Sequence, residues 1–171
     1  MLQPAIRTVR VSLEREATRA EVEAVERAFR AAGLPADVDA GIGRKSDVDS
    51  WLVHVAVAAP LTVFLSALAA AAGQDAWAGL KALVRRVYEA RPRARSRPGA
   101  IWLDAERLTV ILTDELPDEA YRALEAGELA ARGYYVWDPE RGAWRNYRPG
   151  ASAGGNATGT ERRRLGPNNP E

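Results

Sequence analysis

The chain has 171 residues, 47% of them hydrophobic and 27% charged, with a formal net charge of +1. That length and composition suit one globular domain able to bury most of its apolar surface, and near-neutrality argues against whole-protein attraction to nucleic acid or membrane. The lack of cysteine excludes disulfides and thiolate metal sites, and with one histidine, His54, a structural zinc site of nitrogen and sulfur ligands is excluded as well.

The N-terminal stretch MLQPAIRTVRVSLER lacks the basic-then-apolar order of a secretory signal. Ile6 to Leu13 alternates as a strand should. Thr18 and Glu21 then form a capping box, and Val22, Val25, Phe29 and Ala32 make the apolar stripe of a helix. Glu23–Arg27 and Glu26–Arg30 are spaced for i,i+4 pairing on its wet face, and Gly33 with Pro35 predicts its end. Ala36 to Ala40 reads as a weak strand and Gly41 to Asp49 as a polar loop.

Trp51 to Ala58 is the strongest strand pattern: Trp51, Val53, Val55 and Val57 alternate with Leu52, His54, Ala56 and Ala58. Pro60 opens an Ala-rich helix whose buried face is Leu61, Phe64, Leu65, Leu68 and Ala72. Gly73 and Asp75 predict a break and a fresh start. Trp77, Leu80, Val84, Val87 and Tyr88 carry the apolar stripe on to Arg91-Pro92, where the residue before proline disfavours helix. Residues 91–99, RPRARSRPG, form a basic loop.

The last third reads as hairpins. Ala100–Asp104 and Leu108–Thr113 pair across a tight turn, and Leu116-Pro117-Asp118-Glu119 starts a short helix carrying Tyr121 and Leu124. Tyr134–Trp137 and Ala143–Tyr147 flank a turn preset by Pro139 and closed by Gly142. From Pro149 the sequence holds too few apolar residues to offset the entropy of ordering. The expectation is therefore a single domain over residues 1–148 and a disordered Gly/Asn/Pro/Arg tail over 149–171. Its fold class is α+β: a mixed β-sheet with a βαβ-like N-terminal half, a long Ala-rich helix or helix pair, and C-terminal hairpins.

Val53 to Gly73 carries no formal charge and meets the usual length criterion of about 20 residues for a membrane span. The Arg-rich flank beyond it would suit a membrane-associated protein anchored through residues 53–73. Period-two alternation followed by Pro60 favours instead the buried centre of a cytoplasmic protein.

Candidate chemistry is sparse. His54, inside a strand, reads as a packed and hydrogen-bonded side chain, and no Gly-x-Ser-x-Gly elbow supports a serine nucleophile. The loop Gly41-Ile-Gly43-Arg44-Lys45-Ser46-Asp47-Val48-Asp49 puts Asp-x-Asp at the mouth of a strand, a spacing able to hold Mg²⁺. Its segment SDVDSWLV resembles the metal-binding strand of the nucleotidyltransferase superfamily. That resemblance implies Asp47 and Asp49 as metal ligands, Asp104 as a third, and Mg²⁺-dependent nucleotide binding or transfer. The family's Gly-Ser pair lies well upstream of its carboxylates, whereas here Gly43 is followed by Arg44 a few residues away.

Two surfaces stand out. Arg85, Arg86, Arg91, Arg93, Arg95 and Arg97 form a basic run that could meet nucleic acid, anionic lipid or an acidic partner. The hairpin YYVWDPERGAWRNY places Trp137 and Trp144 as cross-strand neighbours. Alternation sends some of its rings outward, where Trp, Tyr and Arg favour binding, and others onto the Tyr121 helix. With no coherent catalytic set, the expectation is a non-enzymatic protein-interaction or accessory module without a cofactor. Its contacts would be Trp137, Trp144 and Arg145, with Arg91, Arg93 and Arg95 as an electrostatic flank.

From the Trp51 strand through VRRVYEAR, IWLDAERLTVIL, LPDEAYRAL and YYVWDPERGAWR, the order resembles a family of uncharacterised small actinobacterial proteins over most of residues 5–147. More loosely, the strand, Ala-rich helix and Arg-rich end are similar to the effector-associated constant component domains of actinobacterial conflict systems. That resemblance implies an accessory, non-enzymatic role beside an effector.

Overall fold

Apolar side chains on alternate residues of consecutive strands must share one face of a sheet, and that face has to be covered. The computed structural model describes residues 9–42, 51–73, 75–91, 99–127, 129 and 132–147. Outside the described residues lie the expected strand start at Ile6 and Thr8, the loop carrying Asp47 and Asp49, the loop carrying Arg93, Arg95 and Arg97, and the tail 149–171.

The elements are β1 (Val9–Glu14), α1 (Arg19–Ala31), β2 (Ala36–Ile42), β3 (Leu52–Val57), α2 (Leu61–Ala72), α3 (Ala76–Glu89), β4 (Ala100–Ala105), β5 (Leu108–Leu112), α4 (Asp118–Glu125), β6 (Gly133–Asp138) and β7 (Ala143–Tyr147). The strands form one sheet in the order β2-β1-β3-β4-β5-β6-β7. Pairs joined through helices (β1–β2, β3–β4 and β5–β6) are parallel, while the hairpins β4–β5 and β6–β7 and the pair β1–β3 are antiparallel. The α+β class and the mixed sheet are thus as the sequence predicts, and the Ala-rich stretch is a helix pair.

One face of the sheet is apolar: Val9, Val11 and Leu13, then Val53, Val55 and Val57, then Ile101, Leu103 and Ala105 are all buried. Phe29 of α1, Phe64 and Leu68 of α2, and Leu80, Leu83 and Val87 of α3 cover it. Tyr121 and Leu124 of α4 extend the layer over β6, meeting Tyr135 in the same core. Each fully buried side chain of this size adds about 1.5–3 kcal/mol through water released from apolar surface. None of the described helices lies on the other face.

Local sequence fixes the helix ends. Glu21 N–H donates to Thr18 Oγ1 at 3.3 Å and Thr18 N–H to Glu21 Oε2 at 2.6 Å, closing the capping box. At the far end of α1, Gly33 turns left-handed, its N–H donates to Arg30 and the Leu34 N–H to Phe29, which satisfies two open carbonyls. On the wet face Glu26 pairs with Arg30 as the spacing suggests, whereas Glu23 pairs backward with Arg19, 3.0 Å away. Pro60 starts α2 and left-handed Gly73 ends it, so Val53–Gly73 divides into strand and helix. No described helix is long and apolar enough to cross a membrane.

Gly33 does two jobs, since a Cβ built there would lie 2.5 Å from the Ala71 Cβ of α2. Gly127 has nearly the same φ, +73° against +74°, with nothing within 4 Å. Gly33→Ala should therefore lower stability by about 2–3 kcal/mol and Gly127→Ala by about 1 kcal/mol, the left-handed penalty alone. Urea unfolding of the two variants measures the difference; equal losses would mean that α1 and α2 do not meet at this point.

Candidate functional site

The helix-free face is built from the residues that alternate with the core. Register places Asp37, Arg10 and Ala56 in one transverse row, continued by Asp104, Thr109 and Tyr134, with Tyr147 at its end. The next row runs Asp39, Ser12, His54, Trp102 and Ile111, and Val136 and Arg145 carry it across β6 and β7. Small side chains at Ala56 and Ala58 leave a shallow groove of about 520 Å³ walled by Arg10, Asp37, Asp104 and Glu106. Glu106 holds a left-handed φ of 55° in the β4–β5 turn, a conformation that a side chain disfavours.

His54 and Asp104, one strand apart on this face, are joined: His54 Nε2 lies 2.5 Å from Asp104 Oδ2. The histidine is hydrogen-bonded as expected, yet its side chain remains 31% exposed because it stands on the uncovered side. Ser12 is directly opposite His54 in the antiparallel pair, so serine, histidine and aspartate stand close together. Acyl transfer needs a serine–histidine hydrogen bond and free donors for an oxyanion. None of the hydrogen bonds among the described residues joins Ser12 to His54, and the neighbouring backbone lies within the paired ladder of β1, β3 and β4. Nor does any group of three His, Asp or Glu side chains among the described residues gather to hold a metal ion. Asp104, the third ligand in the Mg²⁺ reading, is engaged by His54, while Asp47 and Asp49 lie outside the described residues.

The aromatic hairpin divides by parity. Trp137 and Trp144 are register partners with ring centroids 5.6 Å apart in an edge-on arrangement. Both sit on the helix side, and Trp144 Nε1 donates to the Ala120 carbonyl of α4 at 2.9 Å. Tyr134, Val136, Arg145 and Tyr147 point the other way and are exposed. Arg145 Nη1 lies 3.2 Å from Asp138 Oδ2, whose other oxygen accepts from the Glu140 and Arg141 N–H groups and fixes the turn.

Of the Arg run, the described Arg85 and Arg91 stand away from this hairpin. Arg91 lies over the Trp51 ring, 5.8 Å from its centroid, at the start of β3. Four strand spacings separate β3 from β7, about 19 Å. Arg85 pairs with Glu89 on the exposed side of α3. Arg93 and Arg95 lie outside the described residues.

The sequence pattern singles out the indoles and Arg145 but not their outward neighbours. Tyr134, Val136 and Tyr147 were hidden because alternation shows which residues share a side without showing which side is covered. His54 and Asp104 are 50 positions apart, and only the pairing of β3 with β4 brings them together. Comparison of the chain with protein-family models, with curated proteins and with solved structures gives no match.

Beneath the hairpin, burial pushes the Tyr121 hydroxyl up to about 12, helped by the charges of Asp114 and Asp118. Burial also raises Tyr88, again with Asp114, where the hydroxyl donates to the Gly99 carbonyl at 2.6 Å. A phenol whose ionisation is held back in the folded state titrates first in the unfolded chain. Its contribution is intact below pH 10 and is lost as pH rises from there towards 12. Stability should then fall by up to about 1.4 kcal/mol per pH unit for each such tyrosine. Absorbance at the phenolate band during alkaline titration should show Tyr88 and Tyr121 ionising with unfolding; ionisation of every tyrosine near pH 10 in folded protein would contradict the packing.

Proposed function

We propose that the chain is a cytoplasmic, non-enzymatic protein-interaction module whose contact surface is the helix-free face of its sheet. One observation carries the reading. Among the described residues, the most exposed large apolar side chains, Tyr134 at 42%, Val136 at 37% and Tyr147 at 60%, all stand on that face. A sheet face meant only for water alternates to polar residues. Here Leu52, Trp102 and Ile111 continue the apolar surface inward, half-buried, towards the middle of the sheet. Contiguous exposed apolar surface of this kind marks a place where another surface docks.

The roles within the hairpin follow. Trp137 and Trp144 brace it on α4, while Tyr134, Val136, Tyr147 and Arg145 meet the partner. These are the residue types favoured at binding hot spots, with rings that lose little conformational freedom on docking. Arg91, placed at the start of β3, would give electrostatic steering rather than direct contact, and Arg93 and Arg95 would add to the positive charge. The likeness to effector-associated constant component domains points to the same accessory role.

Photo-crosslinking in native lysate tests this. A benzoyl-phenylalanine at position 134 should give polypeptide adducts, and one at position 27, on the wet face of α1, should give few. Val136→Arg should weaken partner retention by about tenfold or more, as hot-spot changes do. Equal adducts from both positions, or retention indifferent to Val136→Arg, would reject the reading.

A further inference from the structure

The helix-free face is divided into two unlike halves, and the halves fit each other. On the β2–β4 side the groove presents small Ala56 and Ala58 between Arg10 and the carboxylates of Asp37, Asp104 and Glu106. Asp39 adds a further exposed carboxylate on β2. On the β6–β7 side stand the projecting rings of Tyr134 and Tyr147 and the exposed guanidinium of Arg145. One half is a hollow edged with three carboxylates and Arg10. The other carries bulky rings and the largely exposed Arg145 guanidinium, whose partner Asp138 is turned inward to the β6–β7 turn.

Resting on the interaction reading above, we infer that the partner on this face is a second copy of the same chain, docked sheet to sheet about a two-fold axis running along β4. Rotation about such an axis exchanges β2 with β7, β1 with β6 and β3 with β5, and keeps each transverse row over itself. Arg145 of one copy then faces Asp39 of the other. Tyr134 comes over Arg10, a favourable ring–guanidinium contact, and Tyr147 over Asp37 at the mouth of the groove. Val136 meets Ser12, Ile111 meets His54, and Trp102 packs on its own mate across the axis. Asp104 also meets its mate there, each carboxylate already engaged by His54 of its own chain.

A two-fold axis across the strands would instead stack β2 on β2, setting the Asp37 and Asp39 carboxylates of one copy against those of the other. Like charges at such close quarters disfavour that arrangement. Seven strands of five to seven residues present roughly 600 Å² in projection. Side-chain relief brings the accessible area towards the roughly 800 Å² per partner of a specific interface. Face-to-face packing of aligned sheets is a standard solution for burying such a surface.

Sedimentation equilibrium of the full chain from micromolar to several hundred micromolar tests the inference through charge exchange. The wild-type chain should reach twice 18.6 kDa. Arg145→Asp and Asp39→Arg should each weaken association by about tenfold or more, and the double variant should recover most of it. Circular dichroism melts identify any variant that fails to fold, and Ile111→Arg gives an independent break at the centre of the face. A monomer throughout that range, or a dimer whose single and double charge variants behave alike, overturns the inference. If the monomer still yields Val136-dependent adducts from position 134 to a different polypeptide, self-association alone has failed and the interaction reading stands. If it yields none, both have failed.

Discussion

Every described helix of this protein lies on the same side of its sheet, where the central strands offer an unbroken run of buried apolar side chains. Val53, Val55 and Val57 on β3, flanked by Val11 on β1 and Leu103 on β4, form a continuous buried surface. The intervening residues Ser12, His54, Ala56 and Asp104 give a second helical layer little to pack against. Parallel pairs are usually sandwiched between two helical layers; here the three βαβ connections return over the same face. The helix-free face is thus a consequence of strand parity.

That constraint propagates to the hairpin. Tyr135 pairs with Val110 on β5 and takes its core-facing parity, so Trp137 and Trp144 must also turn towards α4. The α4 helix is in turn held to α3 by the Lys81–Asp118 ion pair and by Arg122 stacked 4.7 Å from the Trp77 ring. Tyr134, Val136 and Tyr147 are left on the outside by the same arithmetic. The exposed aromatic surface and the buried indoles are two results of one register.

Much of the architecture is legible in the sequence because its signals are local. The capping box at Thr18 and Glu21, the left-handed glycine after α1, the Pro60 start of α2 and the alternation of β3 each involve residues a few positions apart. The ion pairing of Glu23 was ambiguous, since Arg19 and Arg27 are both one helical turn away, and the structure takes Arg19. The face of the hairpin that would be exposed was not legible. Tyr, Val, Trp and Arg suit either side of a strand, and the deciding contacts, Trp144 to Ala120 and Tyr135 beside Val110, come from other elements. The His54–Asp104 pair was hidden for the same reason, and Ser12 joined it only when β1 took its place beside β3.

The native chain has no cysteine, so single cysteines report parity directly. In dilute protein, thiol labelling of Leu52→Cys, His54→Cys and Ala56→Cys should be faster by about tenfold or more than labelling of Val53→Cys, Val55→Cys and Val57→Cys, which must wait for the structure to open. Such alternation along β3 is what helices on a single face require. Equal rates at all six positions, or a rhythm with the period of a helix, would contradict the account.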